Sequence, residues 1–312
     1  MIINILIIMT VEQILNQNST KKEKAFTLYS LGHTRQQVAD LLCNGNYGYA
    51  HNMWKKWSEN QSTMPFDNVF EFLFNRRFGV EVEFFGATQT SLERNLRAEG
   101  VSYKFERYNH ETRNHWKFTT DSSIRGEHPF EMVSPVLQGN EGLQSLKKAT
   151  KALRLSKANV NTSCGVHIHL EVNDYSLENM RTLVKNFYLL EKQFDKMMPE
   201  SRRNNNYCKG FSTLGSKNTF FSNLNNCTSV REIVNLFSTR YLKLNLQSYL
   251  KYGTVEFRQH SGSTKFSKIK NWILICARLV EFSKQNILLS NLETILNEEL
   301  TEYFEERVLD FA

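Results

Sequence analysis

The chain has 312 residues, 40% of them hydrophobic and 12% aromatic, which is enough material for one large domain and a smaller one beside it. Charged residues make up 23% and prolines number only 4, which excludes general disorder. A formal net charge of +7 favours an acidic ligand, whether nucleic acid, nucleotide or acidic surface, without choosing among them.

The opening run Met1 to Ile8 is apolar but too short to span a bilayer, and it lacks a basic start and a small-residue cleavage site. With Met9 next, it reads as an upstream translated start, and no signal peptide or membrane segment is predicted. Residues 1–18 form an extension, 19–60 a small helical unit, 61–69 a polar linker containing Pro65, and 70–312 the main domain. In the helical unit Ala25, Leu28 and Tyr29 share a face, Gly32 breaks the helix and Thr34 caps the next. Val38, Leu41 and Leu42 continue the pattern, and a third helix carries Met53, Trp54 and Trp57 with Lys55 and Lys56. The arrangement is helix-turn-helix-like, fitting either nucleic-acid contact or a protein-docking module. Five scattered cysteines (Cys43, Cys164, Cys208, Cys227, Cys276) with no C-x-x-C pair fit a reducing, cytoplasmic setting and support neither a zinc finger nor a disulfide scaffold.

Three short segments of the main domain alternate apolar and polar residues, as half-buried strands do. In Phe78 to Phe85, Glu81 and Glu83 oppose Val80, Val82 and Phe84. In Cys164 to Leu170, His167 and His169 oppose Val166, Ile168 and Leu170, and in Gly253 to His260, Glu256, Arg258 and His260 oppose Val255 and Phe257. A fourth segment, His128 to Pro135, sets Glu131 against Phe130 and Met132. One such strand is an ordinary amphipathic strand with a solvated face. Several together predict a shared cavity of carboxylates, imidazoles and a guanidinium.

Between these strands lie helices predicted over Glu141 to Ser156, from Ser176 to about Phe194, and over Lys268 to Phe282, each with an apolar stripe that reads as core. The composition of 200–226 shifts to Asn, Ser, Lys, Arg and Gly and predicts a mobile loop, with Arg202, Arg203, Lys209 and Lys217 placed to close over an anion. The Glu-rich tail after Glu298 reads as a solvated helix face.

Magnesium takes oxygen ligands and keeps waters, so Glu81, Glu83 and Glu256 suffice for two ions when phosphates supply the rest. Arg258 can fork two hydrogen bonds onto a phosphate or carboxylate. No G-x-x-x-x-G-K-[ST] or G-x-G-x-x-G loop occurs, so a nucleotide would have to bind on the sheet.

The segments Phe78 to Gly86, Phe130 to Leu137, Cys164 to His169 and Gly253 to His260 resemble the motifs of the amidoligase family. That family is grouped with glutamine synthetase and glutamate–cysteine ligase among carboxylate–amine ligases. The resemblance runs in order from Arg77 to Trp272. It implies an α+β fold, an antiparallel sheet folded into an active-site funnel with helices packed outside. It also implies that ATP phosphorylates a carboxylate and that an amine displaces the phosphate to leave an amide, with Mg2+ or Mn2+ as the metal. The implied metal ligands are Glu81, Glu83, Glu131, Glu256 and His167, the last of these or a phosphate contact. His169 would sit by the nucleotide, Arg258 would neutralise the transferring phosphate or hold the acid substrate, and Arg240, in Arg240 to Asn245, would contact phosphate or serve in structural hydrogen bonding. Glu83, Arg258 and His169 form the implied catalytic set. The acid and amine could each be an amino acid, a peptide, a protein side chain or a cell-wall fragment. Asp121-Ser122-Ser123 stands where an Asp-Gly-Ser turn is expected, which leaves the role of Asp121 open.

Three other readings compete. The His/Glu cluster would also suit a metal-dependent hydrolase, which needs no ATP. Cys164 with His167 would form a thiol pair, but neighbours on one strand rarely reach one substrate atom. The helical unit would suit a DNA-binding regulator whose main domain senses a ligand.

Overall fold

The computed structural model describes residues 10–30, 33–61 and 75–311, and the chain divides into two compact units, 1–70 and 71–312. The expectations for residues 1–8, for the break at Gly32 and for most of the linker lie outside the described residues.

Among the described residues of the first unit four helices, α1 (Val11–Leu15), α2 (Lys21–Ser30), α3 (Arg35–Leu42) and α4 (Tyr47–Gln61), enclose a core of Ile14, Ala25, Leu28, Val38, Ala39 and Ala50. Thr10 and Thr34 each form a reciprocal capping box with the glutamine three residues on, Gln13 and Gln37, which starts α1 and α3. Arg35 is buried, its guanidinium lying 4.3 Å from the Trp54 ring centre and bonded to His51 Nδ1 at 2.9 Å. Lys55 and Lys56 of α4 are exposed.

The second unit is built on an eight-stranded open sheet: β1 (Arg77–Phe84), β2 (Tyr103–Phe105), β3 (Trp116–Thr119), β4 (Phe130–Val133), β5 (Leu137–Gln138), β6 (Gly165–Glu171), β7 (Leu244–Asn245) and β8 (Thr254–Ser261). The order is β2-β3-β4-β1-β6-β8-β7, with β5 paired to the end of β1. All pairs are antiparallel except β2 and β3, which run parallel because residues 106–115 cross between them instead of turning back.

One face of the sheet is apolar: Val80, Val82, Phe84, Val166, Ile168, Val255 and Phe257 are buried. Helices Leu177–Lys196 and Phe266–Lys284 cover it, with Phe187 5.1 to 6.0 Å from the Phe211, Phe194 and Phe257 rings, and Phe194 5.7 Å from Trp272. Ser176 begins the first of these helices through a capping box with Asn179. The predicted stripes over 141–156, from 176 and over 268–282 correspond to helices Gly139–Leu155, Leu177–Lys196 and Phe266–Lys284. In the final helix, Glu298–Asp310, Glu299, Glu305 and Glu306 are exposed while Leu300, Tyr303 and Phe304 are buried.

The segment 200–226 departs from the expected loop. It holds helix Glu200–Arg203, a 3-10 turn Phe211–Leu214 and helix Lys217–Asn226. Its aromatic residues explain the order: Phe211 and Phe220 pack against Phe237 and Tyr188, and Glu191 Oε2 accepts the Phe211 N–H at 2.7 Å.

Candidate active site

Cross-strand register brings the predicted residues together. Glu83 pairs with Glu131 across β1 and β4, Glu81 with His167 across β1 and β6, and His169 with Glu256 across β6 and β8. Because these pairs lie on the polar face, their side chains converge in one cavity of about 1350 Å³, which Asp121, Arg202, Arg240, Asn245 and Arg258 also line.

Within it His167 Nδ1 lies 3.0 Å from Glu81 Oε2 and 3.6 Å from Glu256 Oε1, and its Nε2 lies 3.9 Å from Glu83 Oε1. His169 Nε2 is 3.4 Å from Glu81 Oε1, and its Nδ1 is 3.1 Å from Thr254 Oγ1. Glu83 Oε2 accepts the Gly165 N–H at 2.6 Å. Glycine at 165 lets the strand come this close: a Cβ there would sit 3.0 Å from Arg202 Nη2 and 3.1 Å from His167 Nε2. Asn245 Nδ2 donates to Glu256 Oε2 at 2.6 Å, and Arg258 Nη1 pairs with Glu256 Oε1.

So many carboxylates in one cavity strain each other's ionisation. Burial, reinforced by the charges of Glu81, Glu83 and Asp121, pushes the Glu131 carboxyl well above its ordinary range. Burial also raises Glu83. For Glu81 burial works upward, but hydrogen bonds from His167 and His169 and their charges win and hold it well below the ordinary value. Glu256 is likewise lowered, the nearby Arg258 and His169 outweighing burial. Burial acts to lower His169, yet Glu81 and Glu256 raise it.

Among the described residues, three groupings of ligand atoms lie within 4.8 Å of one another: Glu81, His169 and Glu256; Glu81, Glu131 and His167; and Glu83, Asp121 and Glu131. Each has at least two carboxylates and at most one imidazole, a donor set suited to a hard divalent cation such as Mg2+ or Mn2+. Asp121, left open from the sequence, thus stands beside Glu83 and Glu131, with its Oδ1 accepting the Ser123 N–H at 2.7 Å.

Two expectations are corrected. His260 does not face the cavity. The β6–β8 register shifts between Val166 and Ile168, so Arg258 and Gln259 together oppose His167. This bulge reverses the alternation, and Gln259 and His260 both turn to the helix side, fully buried. His260 there packs 5.5 Å from the Trp272 ring and bonds Tyr303 Oη at 3.2 Å. The second correction concerns the basic segment: of Arg202, Arg203, Lys209 and Lys217, only Arg202 lines this cavity.

The polar stretch around Arg202 suggests an exposed loop cation, yet the residue is only 3% exposed. It donates to the carbonyls of Arg258 and Gln259, the two bulge residues, and no carboxylate among the described residues pairs with it. Arg240 is exposed at the cavity's edge, where it bonds Tyr241 Oη at 3.3 Å. The crossing loop 106–115 bounds the other side: Lys117 Nζ holds the Asn109 and Glu111 carbonyls at 2.9 and 3.1 Å. Its His110 carbonyl accepts from Tyr252 Oη at 2.6 Å and Lys251 Nζ at 3.2 Å, beyond β7. No sequence motif announces that loop, because its anchors are single residues far apart in the chain.

No helix among the described residues is long and apolar enough to cross a membrane. Comparison with curated proteins finds no match. A solved structure described as a novel glutamine synthase homolog is similar at 13% identity and a TM-score of 0.38, over 78% of this chain and 66% of that one. This chain therefore spans just under two thirds of that neighbour's length. A family described as "Putative amidoligase enzyme" matches residues 74–280, the stretch that holds every strand of the sheet and all the cavity carboxylates, and the chain belongs to that amidoligase family.

Proposed function

We propose that this cavity joins a carboxylate to an amine at the expense of ATP, through an acyl phosphate. The observation that carries the reading is the meeting of Glu81, Glu83, Glu131, Glu256 and Asp121 with Arg202 and Arg258 in one cavity. A carboxylate is a poor electrophile, and a phosphoryl group moving onto it spreads negative charge that fixed cations stabilise.

Glu81, Glu83, Glu131, Glu256 and His167 would hold the divalent ions, with Asp121 beside Glu83 and Glu131. Bound Mg2+ would supply charge neutralisation to the phosphates. Arg258, held by Glu256 and by the Tyr207 carbonyl at 3.3 Å, would meet an oxyanion. Arg202 adds a second guanidinium beneath it. His169, beside Thr254 and flanked by Tyr252, would donate to a phosphate oxygen. In the first step the substrate carboxylate oxygen attacks the terminal phosphorus and ADP leaves. In the second the amine nitrogen attacks the acyl carbon, loses a proton and expels phosphate. The oxygen-rich groupings favour this over a zinc hydrolase, whose metal prefers imidazole and thiolate.

The test is incubation of the protein with Mg-ATP and pooled amino acids and peptides, following phosphate release and any product one water lighter than its parts. Glu83→Ala and Arg258→Ala should each abolish both signals with the melting transition retained. Product formed without phosphate release, or wild-type-like amide formation in both variants, would defeat the proposal.

A further inference from the structure

A second cavity, of about 770 Å³, lies at the end of helix Leu177–Lys196 and shares only Asn205 with the first. Its floor holds three ionisable residues, all buried: Glu191, Asp195 and Lys243. Lys243 Nζ lies 3.0 Å from Glu191 Oε1 and 2.6 Å from Asp195 Oδ1. Asp195 Oδ1 also accepts from Gln259 Nε2 at 2.6 Å. Asp195 Oδ2 forms an ion pair with Lys192 Nζ at 3.9 Å, on a side chain 89% exposed.

Two carboxylates face one buried ammonium in the floor, and the further cation on Asp195 is Lys192, whose exposed side chain makes a solvent-screened pair. The rim has the opposite sign. Lys196 and Lys209 are exposed along it, Arg203 lies beside them, and Ser212 adds a hydroxyl. The floor repels a simple anion and the rim repels a simple cation. A small molecule carrying both charges satisfies both.

We propose that this cavity is a binding site for a free α-amino acid, its ammonium on Asp195 Oδ2 and its carboxylate toward Lys196, Lys209 and the Ser212 hydroxyl. The site is separate from the carboxylate cavity and does not depend on the proposed reaction.

The test is calorimetric titration of the full chain with individual free amino acids, with methylammonium, acetate and inorganic phosphate as single-charge probes. At least one amino acid should bind, and each single-charge probe at least tenfold more weakly, since each keeps only one of two charge-assisted contacts. Asp195→Asn should weaken the amino acid at least tenfold, and Glu256→Gln, in the other cavity, should leave it unchanged. Lys196→Glu combined with Lys209→Glu changes only exposed positions, so it reads the rim even if Asp195→Asn fails to fold; it too should weaken binding at least tenfold. The proposal is overturned if no amino acid binds at millimolar concentration, if acetate or phosphate binds as tightly, or if Glu256→Gln rather than the Asp195 and rim variants removes binding. Failure of the ligase reading would appear instead as absent nucleotide turnover, with this titration unaffected.

Discussion

Lys243→Met removes a buried ammonium and leaves its two acidic partners, Glu191 and Asp195, in place. Lys243 is 1% exposed, and Glu191 and Asp195 stand one helical turn apart on the same helix, 7% and 8% exposed. Methionine fills a similar volume, so the loss is electrostatic rather than a cavity. Removing one member of a buried ion pair costs about 3–5 kcal/mol, because the remaining charge is uncompensated. In a domain of this size each kcal/mol moves the melting temperature by about 2–4 °C, so a fall of roughly 6–20 °C is expected. Thermal denaturation followed by circular dichroism, with urea titration beside it, measures this. Lys243→Met with Asp195→Asn should regain at least about 1 kcal/mol of the loss, since Glu191 keeps the Phe211 N–H and only one buried charge then remains. A Lys243→Met variant within about 1 kcal/mol of the parent, or a double variant less stable than the single, would refute the reasoning.

Glu81 belongs to two of the three ligand groupings, whereas Glu83 belongs to one. Glu81→Gln should therefore weaken Mn2+ at two sites and Glu83→Gln at one, each by at least ~100-fold, beyond what losing an outer-shell partner costs; titration with Mn2+ followed by electron paramagnetic resonance distinguishes the two patterns. His260 supplies an acid sensitivity outside the site: burial, aided by the Arg307 charge, lowers its pKa from 6.5 to about 3. The folded state then binds fewer protons than the unfolded chain, so stability is full above pH 6.5 and is lost as the pH falls toward 3. The contribution reaches ~5 kcal/mol at most, because each pH unit between those two values is worth about 1.36 kcal/mol. His260→Leu should flatten the decline in urea midpoint between pH 6 and 4, and an unchanged slope would count against a neutral buried imidazole.

Local pattern carried much of what could be read directly from the chain. Alternation is a property of successive residues, so the pairing of Glu81 with Glu83 and of His167 with His169 on one face was legible without any partner strand. Helix stripes and caps are equally local, and Thr34 and Ser176 mark their helices through hydrogen bonds spanning three residues. What periodicity could not express was anything set by a second strand or helix. The extra residue of β8 opposite His167 exists only in the β6–β8 pairing, and it alone decides that Arg258 faces the cavity while His260 faces Trp272. The burial of Arg202 and of Lys243 was likewise hidden, because a charged side chain looks solvated until a distant element covers it. Burial and register are sums over neighbours remote in sequence, so side-chain chemistry could be named from the order of residues, but its place was settled only by the packing.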